Sequence, residues 1–157
     1  MSTSLDLIDL QLLALLQEDA ARSNLALAEA VGVSPATALR RVKRLQDSGV
    51  IERTVVVLAP EQIGPSLTAI VEVTLDHQSQ ERLGAFEGRA VAETAVQQCY
   101  RTQGMPDFVL IVQVPDMPAY QALAQRLFNS DANVRNVRTF FSVHRAKAHL
   151  GVALPGR

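Results

Sequence analysis

A chain of 157 residues, 48% hydrophobic and 20% charged, has the make-up of one ordinary globular domain or two small ones, which excludes disordered, collagen-like and coiled-coil architectures. Fifteen Lys and Arg against sixteen Asp and Glu leave a formal net charge of −1, so a uniformly basic nucleic-acid coat is excluded and a local basic patch is not.

Asp6 is placed to cap a first helix in which Ile8, Leu12, Leu15 and Leu16 recur at helical spacing, with Asp9 near the positive end of the helix dipole. A second helix starts near Ser23 or Asn24, turns Leu27, Ala28 and Val31 inward and stops at Gly32, which permits a sharp turn. Ser34-Pro35 joins an N-cap residue to a proline at the first helical position and opens a third helix that runs to about Ser48-Gly49. Apolar Thr54–Leu58 reads as a linker strand suited to pair with its counterpart in a second copy of the chain. The segment 59–65, with Pro60, Gly64 and Pro65, interrupts both helix and strand bonding and is the expected hinge.

Beyond the hinge the pattern changes. Ala69, Val71, Val73 and Leu75 alternate with Ile70, Glu72, Thr74 and Asp76 in a strand over 67–76. Leu83, Phe86 and Ala90 share one face of a helix over 79–90, strands follow at about 94–102 and 108–114, and Asp116 and Pro118 open a helix with Tyr120, Leu123 and Leu127 inward. Val137–Arg145 completes a strand, helix, strand, strand, helix, strand order, the ferredoxin-like split arrangement. All seven aromatic residues fall at or after Phe86, which reinforces the division. The expected chain is α+β. Residues 1–58 form a three-helix helix-turn-helix domain of winged-helix-like type, 59–65 the hinge, and 66–157 a ferredoxin-like βαββαβ domain.

Charge is concentrated on the third helix. Residues 34–53 hold Arg40, Arg41, Lys43, Arg44 and Arg53 against Asp47 and Glu52, a net +3, whereas residues 1–33 carry a net −4. At 100° per residue, Ala38, Leu39, Val42 and Leu45 are expected to face inward and Thr37, Arg40, Arg41 and Arg44 outward. A polar first turn followed by cations is what a helix entering the DNA major groove needs: early side chains reach base edges while the cations neutralise phosphates. A solvated basic face on an ordinary helix is the competing reading. The expected DNA-binding residues are Ser34, Ala36, Thr37, Arg40, Arg41, Lys43 and Arg44.

The run Leu27-Ala28, Val31-Gly32-Val33-Ser34-Pro35, Arg40-Arg41-Val42-Lys43-Arg44-Leu45 and Gly49-Val50-Ile51 closely resembles the leucine-responsive and asparagine regulators, the Lrp/AsnC family. Leu5-Asp6-Leu7-Ile8-Asp9 is similar to the opening helix of that family, and the second half to its ligand-sensing domain. The resemblance implies a homodimeric transcription factor, often assembled into octamers or similar discs, whose partners are double-stranded DNA and a small amino-acid-type effector. In the family, a glycine turn followed three residues later by aspartate lies at the effector pocket, and Gly104-Met105-Pro106-Asp107 keeps that spacing. Backbone N–H groups of such a turn suit a carboxylate, and an aspartate suits an ammonium. The expected effector-binding set is Tyr100, Thr102, Gln103, Gly104, Met105, Pro106 and Asp107, with Arg101 and Thr139 as outlying candidates. The same residues also suit an ordinary hairpin turn. Gln103 stands where the family commonly has a small hydroxyl residue, and Pro106 has no N–H to donate.

Val109 and Ile111, with Ile70 and Phe140, give the expected sheet a second apolar face that two helices on one side leave open, which calls for a second copy of the chain. Single Cys99 excludes an intramolecular disulfide and a multi-cysteine zinc site. His77, His144 and His149 lack metal-ligand spacing, and no phosphate-binding loop or nucleophile elbow is present, so no metal, cofactor or catalytic residue is expected. Siroheme decarboxylases share the architecture and are the enzymatic alternative, but their histidine- and arginine-rich pocket is not evident around Cys99-Tyr100-Arg101. A partner subunit that does not itself bind DNA is a further alternative. The longest apolar runs, Leu12–Leu16 and Val55–Ala59, fall far short of the roughly 20 residues of a membrane span. Met1–Asp6 lacks signal-peptide character, so a cytoplasmic protein with no membrane partner is expected.

Overall fold

The computed structural model describes residues 4–64 and 66–155; Pro65 of the expected hinge and residues 1–3 of the N-terminal segment lie outside the described residues. The chain divides into two compact units, residues 1–57 together with 148–157, and residues 58–147. The return of the C-terminal segment to the first unit was not expected from the sequence.

The first unit contains three helices, α1 (Leu7–Glu18), α2 (Asn24–Val31) and α3 (Pro35–Asp47). A reciprocal capping box opens α1: the Asp6 carboxylate accepts the Asp9 N–H at 2.9 Å and the Asp9 carboxylate accepts the Asp6 N–H at 3.1 Å. Ser23 and Ser34 cap α2 and α3 through the N–H groups of Ala26 and Thr37, and Pro35 occupies the first turn of α3. Gly32 ends α2 at φ +69°, the left-handed conformation that makes the turn into α3 tight. Leu12, Leu13, Ala14, Leu27, Ala28, Ala38 and Leu45 form an aliphatic core.

Two face assignments differ from the sequence expectation. In α1 the buried residues are Asp9, Leu12, Leu13 and Ala14, while Ile8, Leu15 and Leu16 are half-buried, so the inward face is rotated and takes an acid with it. In α3 Leu39 is 53% exposed and Arg41 turns inward, because Asp9 is there to neutralise it. Thr54–Leu58 forms no strand; these residues are exposed, Val56 to 84%. A strand needs a partner for its ladder; within one chain this segment has none among the described residues, and the partner expected for it belongs to a second copy. The C-terminal segment completes the unit through Gln17, whose side-chain amide bonds both the N–H of Val152, at 2.6 Å, and its carbonyl, at 3.2 Å.

The second unit opens with a four-residue helix, α4 (Pro60–Ile63), and continues β1 (Leu67–Leu75), α5 (Gln80–Ala92), β2 (Val96–Arg101), β3 (Phe108–Val114), α6 (Met117–Ala124) with a π-helical turn at Gln125–Asn129, and β4 (Val134–Phe141). The antiparallel sheet has the order β2-β3-β1-β4. Ala69, Val71, Val73 and Leu75 pack with Phe108, Leu110, Val112 and Val114 beneath Phe86 and Ala90 of α5 and Tyr120 and Leu123 of α6. The last strand begins three residues earlier than expected. A register shift at Thr74/Leu75 pairs Leu75 with Val134 and Thr74 with Asn136, skipping Arg135 and breaking the alternation on which a sequence reading depends. Among the described residues no helix is long and apolar enough to cross a membrane.

Among the described residues of the second unit, no helix covers the other face of the sheet. Ile70 lies opposite Ile111 and Phe140, and Glu72 opposite Val109 and Arg138; Ile70 and Phe140 are substantially exposed.

Candidate DNA and effector sites

The exposed face of α3 carries Ala36, Leu39, Arg40 and Lys43, with Ser34 at its mouth. Ser34 and Thr37 are tied to each other by a hydroxyl hydrogen bond of 2.9 Å within the cap. Arg40 and Lys43 make no ion pair among the described residues. Arg41 and Arg44 are placed differently: Arg41 donates to Asp6 at 2.7 Å and to Asp9 at 2.9 Å, and Arg44 donates to Asp9 at 2.5 Å. The Arg41 guanidinium is held more firmly protonated by its hydrogen bonds to Asp6 and then Asp9. The Asp9 N–H, followed by Arg41, holds the Asp6 carboxyl below the ordinary carboxylate range. The seven residues expected at the DNA therefore separate into a free face and a pair of arginines turned toward α1.

In the second unit an open cavity of about 440 Å³ is lined by Gln78, Leu83, Arg101, Thr102, Gln103, Gly104, Met105 and Asp107. Five of the seven expected effector residues are among them; Tyr100 and Pro106 are not. Tyr100 lies opposite Val109, on the open face of the sheet, with its hydroxyl on Gln98. Pro106 follows a cis peptide bond, and its carbonyl accepts the Thr102 hydroxyl. Gly104 has φ +108°, a conformation that favours glycine. Asp107 is buried, and its Oδ2 accepts the Leu75 N–H at 2.7 Å while its own N–H donates to the Val73 carbonyl at 2.9 Å. This carboxylate anchors the turn to β1. Arg101 reaches the Glu87 carboxylate and, at 3.1 Å, the Gln80 side chain. Thr139 lies away from this cavity, bonded to the Tyr120 hydroxyl. A second cavity, of about 460 Å³ at Thr94, Gln113, Pro115 and Arg126, contains none of the turn residues, and its Arg126 is paired to Glu93.

Two known domains match the chain, one in each unit except that the second match also takes in residues 148–152. The Lrp/AsnC ligand binding domain matches residues 68–152, and a winged helix-turn-helix DNA-binding domain matches residues 5–52. The chain belongs to the Lrp/AsnC family. The DNA-binding transcriptional activator DecR of Escherichia coli K12 is 38% identical over 143 residues, 91% of this chain and 94% of DecR. The crystal structure of an AsnC family transcriptional regulator from Agrobacterium tumefaciens matches with a TM-score of 0.87 at 30% identity, over 95% of this chain and 97% of that one. A transcriptional regulator from Neisseria meningitidis, solved as an L-Met complex, matches with a TM-score of 0.88 at 26% identity, over 97% of this chain and 98% of that one.

This Lrp/AsnC chain is a DNA-binding transcriptional regulator with a ligand-binding domain. Sequence reasoning missed Gln78 and Leu83, which reach the cavity from the segment leading into α5 and from α5 itself. No local pattern links them to a turn some 20 residues further on. It also missed the role of Asp9. A signal was present: an acid at the spacing of the inward face, in a domain whose third helix carries excess cations.

Among the described residues no group of three or more His, Cys, Asp or Glu is arranged to hold a metal ion. Cys99 packs against the sheet core, and burial, followed by the charge of Glu87, pushes its thiol up, away from the reactive thiolate.

Proposed function

We propose that this regulator takes a small amino-acid-type effector in the cavity at the Gly104–Asp107 turn, and that it reads double-stranded DNA through the exposed face of α3 as a homodimer able to assemble further, to an octamer or similar. The observation that carries the effector reading is the meeting of a positive-φ glycine, polar Gln78 and Gln103, the cation Arg101 and apolar Leu83 and Met105 around one space of about 440 Å³, within the range of small-molecule sites. The carboxylate and ammonium of an amino acid find complements in Arg101, the turn N–H groups and the Oδ1 oxygen of Asp107, and its side chain finds apolar wall. The L-Met complex of the Neisseria relative supports the ligand class.

The test is calorimetry against a panel of amino acids that includes L-methionine, paired with DNA titrations in the presence and absence of any binder. A binder that also changes DNA affinity or assembly supports the reading, because only a ligand with different affinities for two states shifts their populations. No binding across the panel, or binding unchanged in Gly104→Val, removes the pocket assignment. Asp107→Ala is the poorer probe, since it strands the buried Leu75 N–H. The homodimer reading rests on the open sheet face. Ile111→Glu or Phe140→Glu should shift the sedimentation coefficient toward that of a monomer.

A further inference from the structure

One carboxylate does unusual duty in the first unit. Asp9 is 1% exposed, and a charge so far from water persists only with partners. It has three. Its oxygens accept from Arg41 at 2.9 Å, from Arg44 at 2.5 Å and from the Asp6 N–H at 3.1 Å. Arg41 and Arg44 stand three residues apart on α3, neighbours across one helical turn, so one side chain of the first turn of α1 grips two successive levels of α3. The Asp6 carboxylate takes a second bond from Arg41 at 2.7 Å. Two acids thus offset the two arginines, and the uncompensated charge of α3 is left on Arg40 and Lys43, on the exposed side.

We propose that Asp9 is a positioning residue for DNA recognition: by gripping Arg41 and Arg44 it fixes the rotation of α3 about its own axis, and thereby which side chains face the groove. Arg41 and Arg44, despite lying on the recognition helix, are struts; Arg40 and Lys43 are its phosphate-directed cations. The inference rests on α3 being the helix that meets DNA.

The experiment uses the full chain and a duplex that the wild-type protein selects from genomic fragments, with a scrambled duplex as control. Binding is measured across a salt series. Each phosphate contact contributes about 0.9 to the slope of log K against log salt. Arg40→Gln and Lys43→Gln should each lower that slope by about 0.9 per bound recognition helix, whereas Arg41→Gln and Arg44→Gln should leave it unchanged while weakening binding. Asp9→Asn keeps the shape and removes the charge. Measured where circular dichroism shows it folded, it should discriminate the selected from the scrambled duplex about tenfold less well than wild type, a loss of the size that a misplaced base contact brings.

A slope that falls with Arg41→Gln or Arg44→Gln makes those residues phosphate contacts and overturns the proposal. So does a folded Asp9→Asn protein with a lower melting temperature but wild-type discrimination, the signature of a stabilising role only. If Asp9→Asn does not fold, the slopes of the two arginine variants decide. A wild-type protein that selects no duplex overturns the DNA reading of α3, and the proposal with it, a result distinct from any failure confined to the variants.

Discussion

The two units solve the same problem, holding a functional surface still, with different materials. Among the described residues the first unit buries seven apolar side chains, all aliphatic, and the second buries fourteen, among them Phe86, Phe108, Tyr120 and Phe128. The larger core can set a sheet, and through it the turn at Gly104, by packing alone. The smaller core supplements packing with a network of Asp6, Asp9, Arg41 and Arg44. Apolar contact is non-directional, whereas hydrogen-bonded ion pairs fix an orientation. For a helix that must present a chosen face, orientation matters as much as stability.

The strongest challenge to this contrast is Phe108→Ala. Phe108 is fully buried, with its ring 4.9 Å from that of Phe86, so the loss should be about 3–5 kcal/mol. A denaturant titration should show the sheet signal moving to lower concentration; a change below about 1 kcal/mol would mean that packing does not dominate there. Leu45→Ala, in the aliphatic core, should cost about 2–5 kcal/mol and unfold the helical unit at lower denaturant. If the two units stand on separate cores, the near-ultraviolet signal of the tyrosines, both in the second unit, should keep its wild-type midpoint. Gly104→Val forces a branched residue into φ +108° and should cost about 1–2 kcal/mol, with most of its effect in loss of ligand binding.

The smallest expected effect sharpens the electrostatic side. The folded-state pKa of Asp6 lies below its unfolded value of about 3.9. Its contribution to stability is therefore present above that value and is lost as the pH falls through the folded one. Asp6→Asn should melt below wild type at neutral pH, and the two curves should converge in acid. A gap that persists undiminished at low pH would assign the effect to the shape of the cap rather than to charge.

Much of this organisation was legible before any coordinates. Strand β3 falls at the residues its alternation indicates, and the caps at Asp6, Ser23, Ser34 and Asp116 mark their helices, because such signals are local and each residue reports its own environment. What was not legible depends on distant partners. Arg41 looked solvent-facing because its inward face becomes habitable only through Asp9, some thirty residues earlier. Val134 was missed because Arg135 is an extra residue on β4 against Thr74 and Leu75 of β1, sixty residues away, and offsets the count. Thr54–Leu58 has the composition of a strand but no ladder to join among the described residues. At the candidate effector site the turn residues could be read from their order, whereas Gln78 and Leu83 are brought there only by the fold.

The return of the C-terminal segment to the first unit bears on how the protein is taken apart. Residues 148–155 follow the sheet in sequence yet group with the first unit, where the Gln17 amide brackets Val152. A fragment ending at residue 58 would keep Gln17 and lose its two hydrogen bonds to the Val152 backbone, while a fragment starting at residue 60 would carry the tail without Gln17. Dissection along the sequence order therefore yields two incomplete pieces. A DNA-binding fragment that keeps both bonds has to be assembled from both ends of the chain, for instance by joining residues 148–155 to residue 57 through a flexible spacer.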